Sequence, residues 1–324
     1  MAISKQKRVS GEAGILRVIL VSASIFLAHV WLAPGAVIAE SDSDEEASEP
    51  ELVTGEEMAH WSGLPVWGRK EAYEYGFELP LPLGVSGCFY AEKQNFDMLQ
   101  LNVGKGDALL NIGNLVEVTD IKTEQTAWNV HLDSWILPFL NMYAIAGYLD
   151  GQAELELRPA TLPFLRPLFP KYDMKLEYEG PLLGLGGTLA AGFKPVKNRP
   201  TIVFGQADLS FTKALLDFRQ VVSSLDTVDV AVLNMRLGVR ERIETPRGDV
   251  HVTMWGGATC QDVQQVMTGS LGILDLDFRA KVGAVNPWNA NVGGRVEFGK
   301  NFDVMIDVGI GHRKSLMLSA TYRF

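Results

Sequence analysis

Hydrophobic and polar residues alternate regularly in the last fifty residues of the chain. In each of the segments 274–282, 288–298, 302–310 and 315–324, one face is apolar and the charged residues share the other. A period of two predicts β-strands with one dry face and one wet face. Strands of a soluble sandwich average about five or six residues. Segments of about ten residues ended by aromatics are more typical of strands that cross a bilayer.

Similar but weaker patterns occur upstream. The candidate strands are 82–92, 96–103, 107–118, 125–133, 139–149, 152–158, 171–180, 182–193, 200–211, 229–243 and 248–257. At about 20 residues per strand and connection, residues 70–324 predict an all-β, transmembrane antiparallel β-barrel of about 12 strands. Ten and fourteen strands are the alternatives. After residue 39 no stretch predicts a transmembrane helix, because the most apolar one, 135–148, is short and interrupted by Pro138 and Asn141.

Three segments do not fit this scheme. Residues 158–170 contain four prolines, which predicts a loop that caps or enters the barrel. Residues 213–225 have helical spacing, which indicates a short helix or an irregular strand. Counted back from the C-terminus, both 213–225 and 258–271 would fall in periplasmic connections, which are normally short. At least one predicted boundary in this region is therefore wrong.

The N-terminal segment, residues 1–39, has the layout of a secretory signal peptide. Basic residues precede an apolar run, Val18–Ala28, and small residues end at Ala39. The alternative is an uncleaved anchor, but the apolar run is well short of the roughly 20 residues that a spanning helix needs. We expect cleavage after Ala39.

Residues 40–69 predict a disordered acidic segment in the periplasm. Its first part, 40–57, contains nine acidic residues and no basic ones. We favour a solvated spacer. The alternative is an acidic tail that meets cationic partners or plugs a basic lumen.

Charge and cysteine content narrow the function classes. Without residues 1–57, the chain holds 25 basic and 29 acidic residues and no basic stripe, which argues against nucleic-acid binding. The two cysteines, Cys88 and Cys260, lie in separate predicted strands. They could pair in an oxidising compartment, but a closed barrel needs no such crosslink, and we favour two unpaired residues.

The C-terminal strand resembles the final strand of Gram-negative outer-membrane barrels, because apolar residues alternate up to Tyr322 and the terminal Phe324. Segments 132–151 and 287–324 also look like poorly characterised barrels of this size. The resemblance implies a location in the cell outer membrane and contact with its lipid. It also implies that Tyr322 and Phe324 form an assembly signal for the barrel-assembly machinery.

No pattern predicts catalysis, a metal site or a cofactor. His131, Asp133 and Ser134 are close in sequence, but strand geometry sends Ser134 to the other face, so it cannot share a proton with His131. The glycine groups 84–87 and 184–187 lack the spacing of a nucleophile elbow or a dinucleotide loop. We therefore predict that the chain is not an enzyme, and a lipid-modifying enzyme is the least favoured class.

Charged residues on the wet faces are predicted to line the lumen, since Lys or Arg facing lipid at the midplane costs about 2–4 kcal/mol. They are Arg236, Arg240, Arg242, Asp275, Asp277, Arg279, Lys281, Arg295, Glu297, Asp303, Asp307 and Arg323. One interpretation is a pore or transporter for small hydrophilic solutes, with acidic and basic walls that set preference. The other is a lumen closed by its own ion pairs in a structural or surface-binding barrel.

Overall fold

The computed structural model describes nine ranges of the chain: 63–74, 77–105, 108–111, 116–159, 172–196, 199–218, 226–246, 248–271 and 276–324. The predicted signal peptide, 1–39, lies outside the described residues. So do 40–62 of the predicted acidic segment and 160–170 of the proline-rich loop. Among the described residues, no helix is long and apolar enough to cross a membrane.

Antiparallel strands make up almost all of the described chain. One short helix, α1 (Arg69–Glu74), precedes twelve strands. The strands are β1 (Leu83–Lys105), β2 (Ala108–Asn111), β3 (Val116–Leu137), β4 (Leu140–Pro159), β5 (Tyr172–Phe193), β6 (Ile202–Phe218), β7 (Asp226–Thr245), β8 (Gly248–Leu271), β9 (Leu276–Ala284), β10 (Trp288–Phe298), β11 (Phe302–Ile310) and β12 (Lys314–Arg323).

Ten of these strands close into a ring. The ring runs β1, β3, β4, β5, β6, β7, β8, β10, β11 and β12, and the pairing of β12 with β1 closes it. The prediction of an all-β antiparallel barrel is confirmed. The predicted count of about 12 strands is only roughly matched, because β2 and β9 lie outside the ring.

Strand β9 closes the barrel a second time, beyond the ends of the shorter strands. It pairs with β8 on one side, where Gln265 faces Val282, and with β1 on the other, where Phe96 faces Ala284. At the level of Phe96, β9 replaces β10, β11 and β12, so eight strands enclose the interior. The β11–β12 hairpin thus adds two strands to the ring and widens the barrel on the side of the C-terminus.

The wall changes its polarity along its length. We call the side that carries Phe324 the terminal part, and the wall beyond the ion pair of Lys93 with Glu124 (2.7 Å) the distal part. In the terminal part, apolar side chains point outwards and charged ones inwards. In the distal part the arrangement is reversed. Within β6, for example, Phe211 points outwards, whereas Leu216 and Phe218 point inwards and are buried.

This reversal explains why several strands were predicted as two. The candidates 139–149 and 152–158 are the single strand β4, in which apolar residues move from the outer face, at Tyr148, to the inner face, at Leu155. Since successive residues face opposite sides, the change looks like a break in the alternation.

The same reversal accounts for two of the segments that did not fit. The helical spacing at 213–218 is a polarity change within strand β6, while 219–225 lie outside the described residues. Residues 258–271 continue strand β8 into the distal part and do not form a periplasmic connection.

The outer wall of the terminal part carries an apolar band about as tall as a bilayer core. The outward faces of β10, β11 and β12 are apolar for 9 to 11 residues per strand, which is what a tilted spanning strand needs. Stacked aromatic pairs mark the terminal margin: Phe298 with Phe302 and Tyr322 with Phe324. Phe89 packs on Trp128 towards the distal margin, where exposed charges such as Lys93 begin.

Candidate functional site: the charged lumen

Eight of the charged residues predicted to line the lumen lie on the inner face of the terminal part. They are Arg236, Arg240, Arg242, Arg295, Glu297, Asp303, Asp307 and Arg323. Strands β7, β10, β11 and β12 supply them, because charges that alternate with lipid-facing residues must point inwards.

The charged residues of β9 are placed differently from the prediction. Ala280 and Val282 face the interior and are buried, so Arg279 and Lys281 lie on the outer face. The reason is that β9 belongs to the distal part, where the outer surface meets water. Asp275 lies outside the described residues, as does the side chain of Asp277.

A layer of buried polar groups crosses the middle of the lumen. The Asp307 carboxylate accepts hydrogen bonds from Trp255 Nε1 (2.8 Å) and Asn291 Nδ2 (3.0 Å) and pairs with Arg236 Nη2 at 3.1 Å. The Arg236 guanidinium also lies 5.2 Å from the centre of the Trp255 ring. Arg236 and Asp307 are both at least nine-tenths buried, so this layer holds paired charges away from water.

Glycine makes room for the indole in this layer. A Cβ at Gly293 would lie 2.5 Å from the Trp255 ring, so the ring can cover the strand only where no side chain is present. Gly293 thus lets Trp255 reach Asp307. Sequence reasoning did not single out Trp255, although it alternates with outward residues of β8.

A second set of ion pairs lies nearer the terminal mouth. Arg240 binds Glu297 at 2.5 Å, and Arg295 binds Asp303 at 2.6 Å. Arg323 binds Asp133 at 2.8 Å, which joins β12 to β3 across the closing seam. A cavity of about 40 Å³ between these groups has room for about one water molecule.

The segment before β1 covers the mouth. Glu78 binds Arg242 at 3.0 Å, and His251 Nε2 lies 3.5 Å from the same carboxylate. Further along, the Trp135 backbone N–H donates to Pro82 O (2.8 Å), which fixes the end of this segment against β3. No sequence pattern indicates Glu78, because its position depends on how the chain crosses the mouth.

A third polar group marks the junction with the distal part, just beyond the apolar band. The buried carboxylate of Glu92 accepts hydrogen bonds from Tyr90 (2.5 Å) and Gln125 (2.7 Å). Arg313, at the tip of the β11–β12 hairpin, points into the lumen 3.9 Å from Glu92 and donates to Gln261.

Beyond this junction the interior of the barrel is an apolar core. Fourteen buried apolar residues among those described form one cluster around and beyond the junction, and they come from β1 and β3–β9. They are Phe96, Ile121, Ala127, Ile145, Leu155, Leu176, Tyr178, Leu182, Ala214, Leu216, Phe218, Val228, Val263 and Val282. Among the described residues, the inner face of the barrel therefore changes from mainly charged to mainly apolar at this junction.

The remaining candidate groups are engaged in other contacts. Tyr143 stacks on His131 and donates to Asp208 at 2.8 Å, while Asp133 is engaged by Arg323. Within the described ranges, no three His, Cys, Asp or Glu side chains are grouped to hold a metal ion. Cys88 and Cys260 are both free and buried, and register places them on opposite faces of the wall.

Comparison with known proteins gives structural likeness only. No family model matches the sequence. No curated protein matches it either. Among solved structures it is similar to the outer membrane protein OprG from Pseudomonas aeruginosa, with a TM-score of 0.36 and 11% identity over 76% of this chain and 98% of that one.

Two further structures show the same level of likeness. The beta domain of the Bordetella autotransporter Brka has a TM-score of 0.35 and 10% identity, covering 75% of this chain and 100% of that one. The toluene transporter TbuX from Ralstonia pickettii has a TM-score of 0.31 and 9% identity, covering 76% of this chain and 90% of that one. At such scores these likenesses say nothing about what the chain binds or transports.

The chain's own geometry defines its class. In a bilayer, every backbone polar group must be satisfied within the protein, and a closed ring of strands does this without a free edge. The ring here has an apolar outer band, aromatic residues at its margins and a polar interior. The protein is an outer-membrane β-barrel, and its location is the outer membrane.

Proposed function

We propose that this protein is a non-conducting barrel whose distal part stands outside the bilayer as a binding surface. The observation that carries the proposal is the apolar core of fourteen buried residues, which fills the barrel beyond Glu92. A hydrophilic solute that entered the terminal lumen would have to displace these side chains and lose its hydration. That step is unfavourable because the side chains of this apolar cluster offer few groups that could replace the lost hydrogen bonds.

The orientation in the membrane follows from the lengths of the connections. The turns 138–139 and 299–301, both on the terminal side, are short, and barrels of this type have short turns on the periplasmic side. We therefore infer that the distal part faces the outside of the cell. This also agrees with its charged outer surface, which suits contact with water.

A pore for small hydrophilic solutes is the second candidate. The observation that favours it is the number of charged residues in the terminal lumen. A buried ion pair such as Arg236 with Asp307 gives little net stability compared with apolar packing. Such charges would be explained if the lumen filled with water in another state.

Single-channel recording separates these two candidates. The mature full chain, folded in detergent and checked by heat-modifiable gel migration, is inserted into a planar bilayer, with a general porin as the positive control. We expect no discrete conductance steps from the native protein. The double variant Arg236→Ala/Asp307→Ala removes the central layer but leaves the apolar core, so we expect it to be silent too.

Each outcome of the recording decides between the candidates. Steps in the native protein would overturn the proposal and favour an open pore. Steps only in the double variant would also overturn it, because they would show that the central ion pair is the gate. Silence in both, from barrels that migrate as folded, would support a closed barrel.

The assembly role of the last strand is a separate proposal. We propose that the outward-facing Tyr322 and Phe324 are read by the barrel-assembly machinery. The support is their position, since the two rings stack at 6.4 Å on the terminal margin, at the end of the strand that closes the ring.

A further inference from the structure

The outer wall carries a groove at the distal margin of the apolar band. The groove has a volume of about 840 Å³ and crosses β11, β12, β1, β3, β4 and β5. Gly151 and Gly309 belong to its lining. On the inner side of these two glycines, the space is occupied by the Tyr178 ring and the Ser315 side chain, respectively. The groove therefore opens to the outside of the barrel and not to the lumen.

Two lysines lie side by side in this groove. Lys93 of β1 and Lys314 of β12 are directly opposite in the register, and both point outwards. Like charges directly opposite on neighbouring strands destabilise a sheet. Glu124 offsets the charge of Lys93, with which it pairs at 2.7 Å. Among the described residues, no carboxylate is paired with Lys314.

The groove becomes apolar on the side that faces the band. Ala91, Ile310 and Leu316 line it there, and the side chain of Ile310 is more than half exposed. These residues belong to the same outward faces that meet the bilayer. The groove thus combines a cationic end at the membrane margin with an apolar end that continues into the band.

We propose that this groove binds one phosphate-bearing lipid of the outer membrane. The lipid phosphate would lie between the ammonium groups of Lys93 and Lys314, where an anion relieves their repulsion. One acyl chain would lie along Ala91, Ile310 and Leu316. Besides Glu124, the lining has three carboxylates: Glu92, which Tyr90 and Gln125 hold on the inner side, and Asp150 and Glu177, which lie on β4 and β5. The phosphate is therefore placed at the β12–β1 side.

A membrane lipid fits this groove better than a second protein would. The apolar end is continuous with the surface that is already in contact with acyl chains, and the lysines lie at the depth where lipid headgroups begin. The lysine end of the groove therefore matches the headgroup of a lipid, and the apolar end matches its acyl chains.

Native mass spectrometry of the full-length mature barrel in detergent tests this inference. The probes are dioleoylphosphatidic acid and dioleoylglycerol, which have the same chains and differ in the phosphate. We expect one tightly retained copy of the phosphatidic acid and no comparable retention of the glycerol lipid. The variant Lys314→Gln should weaken retention about tenfold, because a charge-assisted contact is lost.

Matched control variants test whether lipid retention depends on this groove. Lys213→Gln removes a lysine at the same margin across the ring, where Lys213 is paired with Asp229 at 3.3 Å, and should leave retention unchanged. Ala91→Phe fills the apolar end without changing a charge, and should also reduce retention. Heat-modifiable migration verifies that each variant is folded.

Several results would overturn the inference. Equal retention of the two lipids would mean that the phosphate is not recognised. An equal loss in Lys213→Gln would mean general binding around the barrel, and unchanged retention in Ala91→Phe would mean that no chain lies in the groove. Displacement by millimolar inorganic phosphate, or a dimer that excludes lipid, would also contradict it.

Discussion

The terminal and distal parts of the barrel share the strands β1 and β3–β8 but have opposite polarity. In the terminal part of β7, Arg236 faces the interior and is 9% exposed, while its neighbour Leu237 faces lipid and is 72% exposed. In the distal part of β6, Leu216 faces the interior and is 3% exposed, while Lys213 points into water. The change also occurs within β6 alone, where the apolar side chain faces outwards at Phe211 and inwards at Leu216.

The difference shows that the outer medium decides the polarity of the wall. Where lipid surrounds the barrel, apolar residues are stable outside, and polar ones must be paired inside. Where water surrounds it, apolar residues are stable only inside, as in a soluble protein. The terminal part therefore depends on internal ion pairs, and the distal part depends on an apolar core.

Breaking the central ion pair should give the largest effect. Asp307→Ala leaves Arg236 as a buried charge without its carboxylate, and we expect a loss of about 3–5 kcal/mol in the free energy of unfolding. The matched variant Asp229→Ala breaks an exposed pair in the distal part and should cost less than about 1 kcal/mol. Urea unfolding in lipid vesicles measures both.

The double variant Arg236→Ala/Asp307→Ala serves as the control. It removes both charges and should be more stable than Asp307→Ala alone. Equal losses for Asp307→Ala and Asp229→Ala would contradict the description of the terminal lumen as a site of buried pairs.

A substitution in the distal core should come next. Leu216→Ala removes packing from the apolar interior, and we expect a loss of about 2–5 kcal/mol, as for other buried leucines. The neighbouring Leu215→Ala lies on the outer face of the same strand, and should change the stability by no more than about 0.5 kcal/mol. Similar losses from both variants in urea unfolding would argue against the reversed polarity.

A charge placed on the outer wall should distinguish the two media directly. Leu237→Arg puts a cation into the apolar band, and we expect a loss of about 2–4 kcal/mol in vesicles. Thr227→Arg puts the same charge on the same face of β7 in the distal part, where the cost should be close to zero. If Leu237→Arg were tolerated equally well, the band would not face lipid.

Deleting Phe324 should have the smallest effect on the folded barrel. The Phe324 backbone exchanges two hydrogen bonds with Leu83 (3.0 and 3.3 Å), each of which contributes about 1 kcal/mol. We nevertheless expect a strong loss of assembled protein in cells. Comparing the amount in the outer membrane with refolding in vesicles measures this difference, and normal membrane levels would argue against an assembly signal.

The sequence predicts the terminal part better than the distal part, for a physical reason. Strands β10, β11 and β12 stay within the apolar band, so their alternation never changes phase and their bounds could be predicted closely. Strands such as β4 extend beyond the band. At its margin their apolar residues move from the outer face to the inner face, and in the sequence this looks like a turn between two strands. A single rule of polarity cannot describe a strand that passes through two media.

The same reasoning explains the outcome for the lumen residues. Arg236 and Asp307 alternate with lipid-facing residues, so their inward direction could be predicted. Arg279 and Lys281 show the same alternation, but they belong to a strand that meets water, where the rule is inverted. Arg313 lies in a hairpin turn, and only the pairing of β12 with β1 reveals that its side chain enters the lumen.

The β11–β12 hairpin gives the barrel two different perimeters, a larger one in the membrane and a smaller one beyond it. Adjacent strands lie about 4.8 Å apart, so the hairpin adds roughly 10 Å to the perimeter of the membrane-embedded ring and nothing to the ring beyond it. The width of the barrel within the bilayer is thereby uncoupled from the width of its extension. Removing this hairpin, or adding another, would change the number of strands and therefore the width of the ring in the membrane, while the part beyond it kept its own eight-stranded frame.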